Sequence, residues 1–119
     1  MNKFSKIVES NQFVNVGVTP LITELVYITE NQEQVGSLLL VYEQNKASVF
    51  SLEVLSDHRK KGYGRKLMEN AILRCKEKGC NLLELNTEID NNAANKLYQS
   101  MGFQLNGLKS GFNNYTKLI

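Results

Sequence analysis

Val54-Leu55-Ser56-Asp57-His58-Arg59-Lys60-Lys61-Gly62-Tyr63-Gly64-Arg65-Lys66-Leu67-Met68 joins an apolar run to a helical pattern through a charged link and two glycines one residue apart. Glycine tolerates backbone angles that turn successive N–H groups into one space. The helix that follows adds its own unpaired N–H groups and the positive end of its dipole. A strand, loop and helix of this kind form an anion site suited to phosphate or pyrophosphate. Arg59, Lys60, Lys61, Arg65 and Lys66 place five positive charges around it. A P-loop would need Gly-Lys-Ser/Thr, which is absent, and a dinucleotide fingerprint would need a small residue where Leu67 stands. What remains is Arg59-x-x-Gly62-x-Gly64. On these residues alone two readings stand side by side, a phosphate-ligand site and a basic turn capping an ordinary helix.

Working backward, Ala47 to Leu55 reads as a strand, Glu43 to Lys46 as a polar hairpin loop, and Gln34 to Tyr42 as a strand buried on both faces. Asn31-Gln32-Glu33 is a turn and Leu21 to Thr29 another strand, so the three make an antiparallel meander. Val14, Val16 and Val18 alternate as in a strand, which Thr19-Pro20 is expected to break. Phe4, Ile7 and Val8 fall at helical spacing and suggest a short helix within Met1 to Asn11.

Working forward, Leu67, Met68, Ala71, Ile72 and Cys75 recur on one helical face, with Gly79 as the stop signal. Cys80 to Thr87 is a short strand. Asn91 or Asn92 is placed to cap a second helix with Ala94, Leu97, Tyr98 and Met101 on its apolar side, ended by Gly102. Phe103 to Leu108 and Phe112 to Ile119 are the final strands, turning at Ser110-Gly111 or Asn113-Asn114.

A chain of 119 residues with 14 Lys and Arg against 12 Asp and Glu predicts one domain, residues 1–119, able to bury a real core. The net charge of +2 argues against a nucleic-acid partner, because the basic residues gather only between Arg59 and Lys66. Cys75 and Cys80 lack metal-ligand spacing and fit reduced, buried thiols, which suits a cytoplasmic protein with no metal. No apolar run approaches the length of a membrane span, and no secretory signal core is present at the start, so no membrane partner is expected.

The loop Arg59-x-x-Gly62-x-Gly64 resembles the acyl-CoA pyrophosphate loop of the GNAT superfamily of N-acetyltransferases. Asn91-x-x-Ala94-x-x-Leu97-Tyr98-x-x-x-Gly102-Phe103, one strand further on, is similar to the second diagnostic motif of that superfamily. Val54, five residues before Arg59, matches its strand-end valine. The resemblance covers Gln34 to Ile119. It implies an α/β fold of the α+β kind: a mixed, mostly antiparallel sheet, helices on both faces, and a splay between the strand ending at Val54 and the strand around Leu83 to Thr87. Here the N-terminal half is abbreviated.

In that family acetyl-CoA wedges into the splay. The resemblance implies that the backbone of Leu52 to Val54 pairs with the pantetheine arm. It implies that Arg59 and the N–H groups of Lys60, Lys61, Gly62, Tyr63, Gly64 and Arg65 hold the pyrophosphate. Asn91 would lie near the cofactor arm and Tyr98 near the thioester sulfur. The general base is carried by Glu53 or Glu84, each equally readable as a solvent-facing strand residue, and Asn86 stands where some relatives have a glutamate. The implied activity is acetyl transfer to a primary amine on a small molecule or a protein. A catalytically inactive CoA-binding module is the other reading, with a nucleic-acid binder third. The short N-terminal half leaves apolar sheet surface thinly covered, which predicts a homodimer.

Overall fold

A computed structural model describes residues 2–4, 13–16 and 19–119, with side chains from residue 22 onward. Eight strands form one sheet among the described residues. They are β1 (Asn2–Phe4), β2 (Phe13–Val16), β3 (Thr19–Glu30), β4 (Glu33–Glu43), β5 (Lys46–Val54), β6 (Leu82–Thr87), β7 (Gln104–Lys109) and β8 (Phe112–Leu118). Helix α1 (Tyr63–Glu77) crosses from β5 to β6, and α2 (Asn92–Ser100) from β6 to β7. The order across the sheet is β1-β3-β4-β5-β6-β8-β7, with β2 also beside β3. Only the β5–β6 pair is parallel, as a strand–helix–strand crossover requires.

The meander is found with its turns at Asn31-Gln32 and Gln44-Asn45, and the last hairpin turns at Ser110-Gly111. Phe4 lies in β1, paired with Ile28, so the expected N-terminal helix does not start there; residues 5–12 lie outside the described residues. Pro20 does not end a strand but stands in β3, where Asn15 pairs with it and β4 pairing begins only at Ile22. A proline at a strand start interrupts no ladder on the side beyond β4.

β4 reads as continuously apolar, yet it alternates. Gly36, Leu38, Leu40 and Tyr42 are buried under α1, whereas Ser37, Leu39 and Val41 are half-buried on the other face. The α1 stripe forms as its spacing predicts: Leu67, Met68, Ala71 and Cys75 are fully buried, each large side chain contributing about 2 kcal/mol by leaving water. Gly36 is required by this packing, since a Cβ there would lie 3.1 Å from the Glu53 carbonyl and 3.2 Å from Leu67. Arg74 clamps the helix to β3 by donating to both Glu24 oxygens at 2.9 and 2.6 Å, and Tyr42 donates to Glu24 at 2.6 Å.

Helix α2 lies on the same face as α1. Its Tyr98 packs edge-on against Phe103 and tilted against Tyr115, and Tyr115 pairs across the ladder with Leu85 of the buried face. The helix cover of the second face that the resemblance implies is therefore not found among the described residues. Their core is a single cluster running from Val26 to Tyr115.

Candidate active site

The site begins with a defect in β5. Leu39 pairs with Phe50 but Ser37 pairs with Glu53, so β5 carries one extra residue in between. Ser51 takes φ +55° there. This is a β-bulge, which bends a strand and ends its pairing. On the other edge the β5–β6 ladder stops at Val49 and Leu85, although β5 continues to Val54 and β6 to Thr87. The two strands diverge past that point, and the backbone of Leu52 to Val54 faces the gap.

The gap opens into a cavity of about 790 Å³ between β5, β6 and the helix starts. Its phosphate-sized end is the loop. A 3-10 turn, Ser56–His58, leads into Arg59 and then into Lys60 at φ +64° and Gly62 at φ +82°. Residues of alternating hand turn N–H groups to one side. No side chain caps α1 at Gly62, so the first-turn donors of Gly64 and Arg65 remain available at the cavity wall. Arg59 Nε donates to the Val54 carbonyl at 3.0 Å, folding the loop back on the strand end and leaving the terminal guanidinium nitrogens for the cavity. Loop, charge and volume together fit a nucleotide pyrophosphate with an extended arm.

Leu52, Glu53, Val54, Arg59, Lys60, Gly62, Tyr63, Gly64, Arg65, Asn91 and Tyr98 are all brought to this cavity. Asn91 caps α2, its Oδ1 accepting from the Ala94 N–H at 3.2 Å. Tyr98 is buried, and among the described residues its hydroxyl has no hydrogen-bond partner. Burial, with a smaller contribution from Tyr115, pushes its hydroxyl up to about 12. Such a hydroxyl stays protonated and donates.

Two expected residues lie elsewhere. Lys61 is outside the cavity lining, its Nζ 3.3 Å from Glu30. Glu30 also accepts from Tyr63 Oη at 2.7 Å and His58 Nδ1 at 2.9 Å. The Tyr63 hydrogen bond first, and then those from Lys61 and His58, outweigh partial burial and hold this carboxyl down at about 2. Glu30 thus ties the end of β3 to both ends of the loop, a role that contacts 28 to 33 residues distant kept out of sight in the sequence.

Glu84 lies on the helix-free face, lining a second cavity of about 300 Å³. It accepts from Lys46 at 3.2 Å, Lys109 at 3.3 Å and Asn114 at 2.9 Å. Burial raises its pKa, but these three donors outweigh that and leave it below the ordinary carboxylate range. A carboxylate so held is a weak base. Glu53, the other expected base, does line the main cavity, and Glu88 lines it too. Among the described residues no three His, Cys, Asp or Glu side chains gather as a metal site, and no helix is long and apolar enough to cross a membrane.

Known proteins share both the pattern and the architecture. The N-alpha-acetyltransferase 30 of Xenopus laevis is 35% identical over 77 residues, 60% of this chain and 28% of that protein. The [ribosomal protein bS18]-alanine N-acetyltransferase of Escherichia coli K12 is 30% identical over 76 residues, 64% of this chain and 51% of that protein. The match thus spans about half of one relative and under a third of the other. The PaiA N-acetyltransferase of Thermoplasma acidophilum, solved in complex with coenzyme A, superposes with a TM-score of 0.78 at 20% identity, covering 82% of this chain and 61% of that one. The model of the acetyltransferase (GNAT) family matches residues 15–103, well over half of the chain, and the chain belongs to that family.

Proposed function

We propose that this chain is an N-acetyltransferase of one domain, residues 1–119, that moves an acetyl group from acetyl-CoA to a primary amine by direct attack. One observation carries this reading: the basic glycine loop, the unpaired edge of β5 and the buried Tyr98 hydroxyl all open onto one cavity. Acetyl-CoA supplies an activated thioester. The loop N–H groups with Arg59, Lys60 and Arg65 bind its pyrophosphate, and the free edge of β5 at Leu52 and Val54 orients the arm as an added strand would. A backbone N–H of that edge is the donor for the charge that develops on the carbonyl oxygen. Tyr98 Oη donates to the departing sulfur. Glu53 takes the proton of the amine, directly or through water.

The amine class follows from chemistry and from the relatives. A lysine amine, with pKa near ~10.4, is almost wholly protonated at neutral pH, whereas an α-amino group near ~8 is neutral in about a tenth of molecules. A site whose cavity carboxylates, Glu53 and Glu88, are both solvent-facing suits the second. One relative above is named for N-alpha acetylation and the other for N-acetylation of an alanine of a ribosomal protein. The proposed acceptor is therefore a protein N-terminus, met in the cytoplasm, where Cys75 and Cys80 stay as the free buried thiols seen here.

The test is incubation with acetyl-CoA and short peptides whose α-amine or lysine amine is blocked in turn, followed by thiol release and mass. Acetylation of the α-amine is the expected result. CoA binding by calorimetry with no transfer to any peptide would leave an inactive CoA-binding module in its place.

A further inference from the structure

The two cavities adjoin. Val49, Ser51, Leu85 and Asn86 line both of them, where β5 and β6 part just past the Val49–Leu85 pair, one cavity on the helix face and the other on the helix-free face. Asn86 is the polar side chain of β6 at this junction, and the hydrogen-bond network behind it fixes which way its amide points. Glu84 is held ionised and can only accept. Asn114 must therefore turn its Nδ2 toward Glu84, and it does so at 2.9 Å. The same Nδ2 donates to Asn86 Oδ1 at 2.8 Å. Asn114 Oδ1 is in turn occupied, accepting from Asn106 Nδ2 at 3.2 Å, and the same nitrogen donates to Thr116 at 2.8 Å. Asn114 cannot flip without losing its bonds to Glu84 and Asn106, and Asn86 cannot flip without losing its bond to Asn114. With Oδ1 engaged, Asn86 is left with its Nδ2 donors, which have no partner among the described residues.

We propose that Asn86 Nδ2 is a specificity-determining donor that receives the carbonyl oxygen next to the attacking amine, so that the enzyme selects α-amino carbonyl acceptors over simple alkylamines. The inference rests on the acetyltransferase reading above and extends it. A donor cannot serve as base, and a bare ammonium gains nothing from it. An α-amino amide or peptide N-terminus offers an oxygen two bonds from the amine-bearing carbon, within the span of this junction. Lys46 and Lys109 line the same cavity, and with one charge offset by Glu84, which both of them meet, the remaining positive charge favours an oxygen with partial negative charge.

The experiment uses L-alaninamide and isopropylamine as acceptors, with wild type and Asn86→Asp. Aspartate keeps an oxygen for Asn114 but has no donor to offer. Comparing the ratio of the two kcat/KM values between proteins cancels the different basicity of the amines. The ratio in wild type is expected to exceed that in Asn86→Asp about 10-fold, the worth of one hydrogen bond. An equal ratio in both proteins overturns the proposal. If CoA binds but neither amine is acetylated, the acetyltransferase reading falls, and the donor is then judged by binding alone. In the 15N-labelled CoA complex, alaninamide should shift the Asn86 side-chain amide resonance where isopropylamine does not. Identical response to both overturns it.

Discussion

Tyr98 lines the cavity, and the acidity of its hydroxyl decides how it would act on a departing thiolate. A thiol near ~8.5 is a stronger acid than this tyrosine at about 12, so full proton transfer would be uphill by about 5 kcal/mol before the site acts. Donating a hydrogen bond to the departing thiolate avoids that step. Tyr98→Phe is therefore expected to slow the single-turnover acetyl transfer about 10-fold with CoA affinity unchanged, the ring keeping its contacts with Phe103 and Tyr115. An unchanged rate in a folded variant would leave Tyr98 as packing only. Gly62 gives the complementary case. A Cβ there meets nothing within 4 Å, but its φ of +82° costs any other residue about 1 kcal/mol or more. Gly62→Asp should fold, with Tm lowered by a few degrees, and lose CoA binding because its carboxylate faces the phosphate position. Calorimetry that finds CoA bound as tightly as by wild type would remove the loop from the donor site.

At the scale of elements, what could be read in the sequence was local chemistry. The strand–loop–helix geometry, a cap at Asn91 or Asn92, the α1 stripe and the glycine stops at Gly79 and Gly102 each declare themselves within a few residues, and the structure has them, with Asn91 as the cap. The bulge at Ser51 did not, because serine gives no sign of a left-handed backbone that glycine or asparagine usually supplies. Nor did the alternation of β4, since Leu39 and Val41 are as apolar as Leu38 and Leu40 although they face away from the helices. The union of α1 with β3 also depends on distant partners, and it carries a pH dependence. Burial raises the Glu24 pKa, but the hydrogen bonds from Arg74 and Tyr42 outweigh it and leave it lowered. Below a pH of about 4.5 the unfolded chain binds more protons than the folded one, so stability rises with pH there. The contribution of Glu24 is complete above that pH and is lost as pH falls through the folded value; Glu30, held at about 2, extends the loss toward that pH. Thermal unfolding from pH 7 to pH 2 should show this acid limb. Glu24→Gln should flatten it and cost about 3 kcal/mol at pH 7 by leaving Arg74 without its counter-charge. An unaltered acid limb in Glu24→Gln would contradict the assignment.

For the whole molecule, the distribution of cover is uneven. Both helices lie on one face, and the other presents Phe50 at 50% exposure beside half-buried Leu39 and Val41. The homodimer expected from the sequence assigns this face to a second copy. Light scattering at tens of micromolar should give twice 13.5 kDa, and a single-chain mass would overturn it.

The two adjoining cavities have a consequence for traffic. On the proposed reading, donor and acceptor meet at Val49, Ser51, Leu85 and Asn86 from opposite faces, and neither has to leave before the other arrives. Steady-state initial-rate lines for the two substrates should therefore intersect rather than run parallel. Free CoA should compete with acetyl-CoA and not with the amine, while the acetylated product should compete with the amine and not with acetyl-CoA. Each product can depart through its own door, so neither has to wait for the other to clear.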